Sequence, residues 1–208
     1  MSTFHMSLQR VVLERGEALP PSDMHQALWV VSGALSCGAR DVTAGDGCFS
    51  APGRGERFSC ATDAEVLVFQ FGELGEGSLE KSSLLSEQFD LSAATVCLRL
   101  DQVTFPPGAC AYRHTHPGPG IRYLTKGSLD IQADDHVSLK QPGDAWFEDA
   151  ESPVKAVASP TEVSSFVRAM VLPMEYEGKP TILILDPADD AKPKLQNSRR
   201  FFDQRITL

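Results

Sequence analysis

Residues 108–127 of this chain read GACAYRHTHPGPGIRYLTKG and contain two of its five histidines, His114 and His116. Successive side chains of a β-strand point to opposite faces, so His-x-His places both imidazoles on one face. Two neutral imidazoles at that separation can share one metal ion. Residues 117–120, Pro-Gly-Pro-Gly, cannot carry a regular ladder. The stretch therefore predicts a strand, a bend and a second strand, with the histidines ending the first.

The glycines and histidines of this stretch stand in a recognisable order. Gly108 is followed by the histidine pair and then by Gly127, and a Pro-Gly-Asp triplet follows at residues 142–144. This arrangement resembles the two signature motifs of the cupins. The resemblance implies small antiparallel β-barrels, and a metal held by two histidines, a glutamate and a third, later histidine.

Two positions depart from the cupin pattern. The glutamate is expected seven residues before Gly127, where this chain has Gly120, and the third histidine is expected at Val154. Two imidazoles alone bind a divalent metal weakly. One divalent metal (Fe, Mn, Ni or Zn) held by His114 and His116 and a metal-free pocket lined by the same pair therefore stay open as alternatives.

Landmarks of the second half of the chain also occur in the first half. Gly33 parallels Gly127, and the Gly-Asp of residues 45–46 parallels that of residues 143–144. A period of about 95 residues indicates two copies of one module. Short β-rich segments separated by Gly and Pro turns indicate an all-β protein. We therefore predict two tandem cupin-like double-stranded β-helix barrels, a bicupin, with a short helical linker.

The predicted boundaries follow the composition. Residues 8–72 form a first barrel without a metal motif, and residues 95–175 form the second, metal-type barrel. Residues 73–94 are rich in Glu, Ser and Gly and are predicted to be a linker with a helix over residues 78–89. Residues 176–208 are predicted to be a tail with one strand docked on a barrel, and the apolar run 181–185 suits a strand buried on both faces. We expect the first module to have a structural role and to contain no polar cluster comparable to that of the second.

Four further side chains are candidates for ligand binding. Tyr112 shares the face of the histidines by strand alternation. Arg122 is expected to point inward, where its fork meets either a substrate anion or a protein acid such as Glu148 or Asp149. Trp146 and Glu148 lie on one face of the strand after the Pro-Gly-Asp turn, and the pattern leaves open which face points to the cavity.

Charge and composition exclude some classes of partner. The net charge is −9 and the basic residues are scattered, which argues against nucleic acid. The sequence contains neither an apolar run of membrane-spanning length nor the apolar core of a secretory signal. Five cysteines without a Cys-x-x-Cys pair indicate reduced thiols, so a cytoplasmic protein is expected. A homodimer is compatible with the sequence.

Two functions of different classes follow from these residues. The first is a small-molecule site in the second barrel, with His114, His116 and Arg122 around an anionic ligand. With a divalent metal, this site would be dioxygenase- or isomerase-like. The second is a binding or sensing module that uses the same pocket without metal and without catalysis.

Overall fold

The chain is built almost entirely of β-strands in a computed structural model that describes residues 2–37, 40–53, 57–73, 83–133 and 136–208. Two compact units are present, the first comprising residues 1–94 with Leu208, and the second residues 95–207. The strands of the first unit are β1 (Ser2–Leu13), β2 (His25–Ser32), β3 (Ala34–Cys37), β4 (Arg40–Thr43), β5 (Gly47–Ser50), β6 (Ala64–Glu73) and β7 (Leu85–Leu91).

Among its described residues, the second unit contains ten strands and two very short helices. Its strands are β8 (Thr95–Phe105), β9 (Cys110–Thr115), β10 (Gly120–Lys126), β11 (Leu129–Ala133), β12 (Val137–Lys140), β13 (Ala145–Glu148), β14 (Val154–Ala158), β15 (Ser164–Pro173), β16 (Leu183–Ile184) and β17 (Asn197–Thr207). A 3-10 turn spans Met174–Tyr176, and the helix α1 spans Pro187–Asp190.

Each unit has a five-stranded antiparallel sheet with the same order of strands. The order is β5-β2-β6-β1-β7 in the first unit and β13-β10-β15-β8-β17 in the second. The remaining strands differ between the units. The second unit has another complete sheet, β12-β11-β14-β9-β16, whereas the first has the pair β3-β4, extended by single bridges of Ser59 to Ser36 and Ala18.

Strand alternation directs apolar side chains into the interior of each unit. In the first unit the interior is a cluster around Leu28, Val30, Leu35, Val66 and Val68. In the second unit, side chains from both sheets form the cluster, including Val103 and Phe166 from one sheet and Ile131 and Val154 from the other. Burial of these β-branched and aromatic side chains is the main stabilising term of such a structure.

The helix predicted over residues 78–89 is wrong in its described part. Strand β7 occupies this region from Leu85 onward, while residues 78–82 lie outside the described residues. Strand β7 pairs antiparallel with β1, with Leu85 opposite Leu8, and the ring of Phe89 stacks on Phe71 at 6.2 Å. The free edge of β1 outweighs the helix propensity of the Leu, Glu and Gln residues, because strand pairing depends on tertiary context.

The apolar run of residues 181–185 does not form a strand buried on both faces. Only Leu183–Ile184 is a strand, paired with Thr115 and His114 of β9, and Leu183 and Leu185 are 39% and 47% exposed. This strand lies at the edge of its sheet, so one side of it faces solvent. The longer C-terminal strand is β17, which pairs with β8.

All five cysteines are free thiols. Among the described residues, no helix has the length and apolar character needed to cross a membrane.

Candidate functional site

A cavity of about 220 Å³ lies inside the second unit and is lined by both of its sheets. Its polar lining includes two histidines and two arginine–acid pairs (His114, His116, Arg122, Glu148, Arg168 and Asp101), together with residues of the C-terminal segment that include Lys179, Lys194 and Arg200. Its apolar lining includes Val103, Phe105, Ile131, Trp146, Val154 and Phe166. The cavity therefore offers charged groups beside an apolar wall.

His114 is the penultimate residue of β9, His116 directly follows the strand, and both are only 4% exposed. The Nδ1 of His114 is 2.6 Å from the carbonyl oxygen of Tyr112, and the Nδ1 of His116 is 2.8 Å from that of Thr181. A carbonyl oxygen can only accept, so both Nδ1 atoms carry the hydrogen and donate it. The two Nε2 atoms, which face each other at 3.2 Å, are then both lone-pair acceptors when the rings are neutral.

The surroundings of the histidines favour the neutral rings. Burial lowers the pKa of His114, and it lowers the pKa of His116 well below its ordinary value. The positive charges of Arg168 and Arg122 lower both pKa values further. Arg168 Nη1 lies 3.5 Å from His116 Nε2, on the side where this nitrogen accepts.

Arg122 is completely buried and pairs with Glu148. Its Nη2 lies 2.8 Å from Glu148 Oε2, and its Nη1 donates to the carbonyl oxygen of Gly120 at 2.5 Å. Burial lowers the pKa of Arg122 to about 10, against the opposing effect of the Glu148 charge. Of the two alternatives for this side chain, the structure contains the pairing with a protein acid.

Trp146 and Glu148 both face the cavity, which decides the orientation that the sequence left open. The indole Nε1 of Trp146 donates to Glu148 Oε1 at 2.9 Å, and Glu148 Oε2 lies 3.5 Å from His116 Nε2. The Arg122 contact at Oε2 is close but does not have the alignment of a hydrogen bond, so Oε2 lacks one. The Glu148 carboxylate therefore lies close to both His116 and Arg122 and interacts with them electrostatically.

Tyr112 does not line the cavity, although alternation predicted that it would share the face of the histidines. Strand β9 contains a bulge: Ala111 pairs with Ala156 and His114 with Val154, so three residues on β9 span two on β14. The extra residue reverses the alternation, and Ala111 takes the inward position instead. The contribution of Tyr112 to the site is its carbonyl group.

The sequence alone did not single out Arg168, Asp101 and Thr181, which form one hydrogen-bonded group in the cavity. Arg168 of β15 bonds Asp101 of β8 through both carboxylate oxygens at 2.7 and 3.1 Å, and it donates to Thr181 Oγ1 at 3.2 Å. Burial alone would lower the pKa of Arg168, but Asp101 raises it above the ordinary value. The sequence signal for Arg168 was a charged residue at an inward position of an apolar, β-rich segment. In the structure Arg168 lies directly opposite Arg122 on the neighbouring strand.

The two positions that depart from the cupin pattern supply no metal ligand. Gly120 has no side chain, and Val154 adds an apolar group to the cavity wall. Throughout the part of the chain that the structure describes, no group of three or more His, Cys, Asp and Glu side chains could hold a metal ion. Of the positions that the cupin pattern assigns to metal ligands, the structure retains the two imidazoles with their facing Nε2 atoms.

The first unit has a row of polar side chains that no motif of its sequence indicates. Five uncharged side chains face one another across its five-stranded sheet, in register: Ser50, Gln26, Gln70, Ser7 and Ser86. The Oγ of Ser86 lies 2.6 Å from Nε2 of His5, whose pKa is lowered by burial. This row differs from the cavity of the second unit because it contains no charged residue.

The chain matches no protein-family model and no curated protein. Solved structures do share its fold. Oxalate decarboxylase from Lactobacillus farciminis, in a formate complex, has a TM-score of 0.64 and 13% identity over 91% of this chain and 82% of that chain. Bacillus subtilis oxalate decarboxylase, with Mn(II) centres, has a TM-score of 0.61 and 14% identity over 90% and 73%. A cupin 2 conserved barrel domain protein from Leptotrichia buccalis has a TM-score of 0.52 and 14% identity over 80% and 84%. The chain therefore has the fold of the cupin superfamily.

Proposed function

We propose that the second unit binds a divalent metal through His114 and His116, and a small molecule beside it, for a dioxygenase- or isomerase-like reaction. The observation that carries this proposal is the convergence of the two Nε2 atoms at 3.2 Å while both Nδ1 atoms donate to carbonyl oxygens. Two neutral nitrogens with facing lone pairs repel unless a cation lies between them.

The spacing of the two nitrogens suits a shared ion. With metal–nitrogen bonds of about 2.0–2.1 Å, two ligands of one metal are roughly 3.0–3.4 Å apart. Histidine ligands of metals also usually donate their other ring nitrogen to a carbonyl or carboxylate, which fixes the ring. Both features occur here, and they support a metal without reference to the missing cupin ligands.

The chain's own residues would bind and orient the small molecule. A bound metal would act as a Lewis acid on an oxygen of the substrate. Phe105, Trp146 and Phe166 form part of the apolar wall of the cavity, and a bound metal would add to the paired Arg122 and Glu148 the net positive charge that favours an anionic substrate. The cavity of about 220 Å³ is below the roughly 300 Å³ at which drug-sized pockets begin, so the substrate is small.

The similar structures support the same reading. One of them has Mn(II) centres and another contains formate, a small carboxylate, so a manganese-type centre and a small organic acid are reasonable starting points. We further propose that residues 8–72 and 95–175 are two cupin-like barrels, which the matching orders β5-β2-β6-β1 and β13-β10-β15-β8 within their five-stranded sheets support. Only the second would carry the site.

A metal-free binding module is the second candidate function. Its support is the pairing of the cavity's charges within the protein, Arg122 with Glu148 and Arg168 with Asp101. These two ion pairs balance the charges beside the histidines without a cation. In this case an uncharged or weakly charged ligand would fill the apolar part.

Metal analysis of protein purified without a histidine tag separates the two candidates. About one equivalent of Fe, Mn, Ni or Zn in the native protein, lost in the variant H114A/H116A, supports the metal-dependent function. A native protein that contains no stoichiometric metal, and that binds none of these ions more tightly than the double variant does, would contradict it and favour the metal-free module.

A further inference from the structure

Arg99 of β8 holds the segment of residues 176–181, which we term the strap. The side chain is 1% exposed and forms four hydrogen bonds. Two go to Asp203 of β17 at 2.6 and 2.8 Å, and two go to the carbonyl oxygens of Tyr176 and Lys179, both at 2.8 Å. Asp203 also accepts a hydrogen bond from the backbone N–H of Gly178 at 2.7 Å. The Asp203 carboxylate and the Arg99 guanidinium therefore both bind the backbone of the strap.

The other end of the strap contacts the histidine pair directly. The carbonyl oxygen of Thr181 accepts from His116 Nδ1 at 2.8 Å, and the Thr181 hydroxyl accepts from Arg168 at 3.2 Å. Thr181 is 4% exposed, although the strap residues before it are largely exposed. Two residues beyond it, Leu183 begins the short pairing with β9. The position of the Thr181 carbonyl therefore depends on where the strap is anchored.

From this geometry we infer that Arg99 is a positioning residue for His116 and acts through the strap. This inference rests on the proposed metal function. Arg99, through the strap, would keep His116 in the tautomer that can bind a metal. The Thr181 carbonyl keeps the hydrogen on Nδ1 and so leaves the Nε2 lone pair directed at His114. If the strap shifts, the ring loses this acceptor, and the hydrogen distributes between its two nitrogens.

Replacement of Arg99 by lysine tests the inference with the charge retained. An ammonium group can still neutralise Asp203 but cannot reach Asp203, Tyr176 and Lys179 together with the planar fork of a guanidinium. The matched control is R10K, the same substitution at an exposed ion pair with Glu65 in the first unit. If R99K does not fold, D203N is the second variant, because it removes the charge that orients the Arg99 fork.

Two measurements on the full-length, tag-free protein give the outcome. Nitrogen-15 NMR of the histidine rings without metal should find His116 as the Nδ1–H tautomer in the native protein and in R10K. The same spectra should show a mixture of tautomers in R99K. Calorimetric titration with Ni²⁺ alone should show a dissociation constant about 10-fold higher for R99K than for R10K, as is typical of lost support for a metal ligand.

The results distinguish this inference from the proposed function. A R99K protein with an unchanged His116 tautomer and unchanged Ni²⁺ affinity would overturn it, even if its unfolding midpoint fell, because a purely structural anchor changes stability alone. If the native protein binds Ni²⁺ no better than H114A/H116A does, the metal function fails. The ring spectra of the metal-free proteins then still decide whether Arg99 positions His116.

Discussion

Gly120 and Glu148 are directly opposite each other on the neighbouring strands β10 and β13. A carboxylate therefore enters the cavity one strand away from the position at which the cupin pattern predicts a glutamate. A side chain at residue 120 would not fit, because a Cβ there would lie 2.4 Å from the carbonyl oxygen of Ala169 and 2.9 Å from Met170 Cγ. The close approach of β10 and β15 thus fixes glycine at 120, and Glu148 is the acid beside it.

Substitution of Gly120 by alanine should destabilise the protein by about 1–3 kcal/mol, the usual cost of forcing extra volume into a packed interior. The measurement is the midpoint of urea unfolding. G72A is a matched control, since Gly72 is also in a strand and a Cβ there would make ordinary contacts of 3.5 Å or more with Met24. Equal stability of the two variants would show that β15 can move away from β10.

The ion pair of Arg122 and Glu148 should show coupling in a double-mutant cycle. E148Q leaves a fully buried guanidinium without its main counter-charge and should cost about 3–5 kcal/mol. R122M should cost less, because the Glu148 side chain is 13% exposed and its other oxygen keeps the hydrogen bond from Trp146 Nε1. The double variant R122M/E148Q should be more stable than the sum of the single effects by at least about 1 kcal/mol, measured by urea unfolding. Strict additivity would mean that the pair contributes no interaction energy.

Metal ions should stabilise the native protein against heat in a concentration-dependent way. A ligand that binds only the folded state adds about 2.7 kcal/mol at 100 times its dissociation constant. We expect Mn²⁺ or Ni²⁺ to raise the unfolding midpoint of the native protein and of H136A, which lacks an exposed histidine, but not that of H114A/H116A. An equal rise in the double variant would place metal binding elsewhere on the chain.

Acid should weaken the anchor of the strap. The hydrogen bonds from Arg99 and from the Gly178 backbone lower the pKa of Asp203, although burial acts in the opposite direction. The stability from this carboxylate is therefore present above its unfolded pKa of about 3.9 and is lost as the pH falls through the lower folded value. The free energy of unfolding of the native protein should drop more between pH 6 and pH 3 than that of D203N. Parallel curves for the two proteins would exclude Asp203 as a source of acid sensitivity.

The sequence by itself was sufficient for the features that depend on local pattern. Short alternating segments between Gly and Pro turns predicted the all-β class, and the cupin motifs predicted the cupin-like fold that the similar structures share. The His-x-His spacing placed two imidazoles on one face, as the 3.2 Å contact of His114 and His116 shows. These features follow from local backbone geometry and from the periodicity of apolar residues, both of which can be read from a short stretch of sequence.

Other features depended on which distant segments pair or pack with each other in the folded chain. The free edge of β1 turned residues 85–91 into a strand, and the bulge of β9 against β14 turned Tyr112 away from the cavity. Arg168 of β15 and Asp101 of β8 form a hydrogen bond although they are 67 residues apart in sequence. The strap likewise places the carbonyl group of Thr181 beside His116, 65 residues earlier in the chain. Such contacts are decided by register and by the pairing of distant segments, because the partner that satisfies a buried polar group is supplied by the tertiary fold and not by its neighbours in sequence.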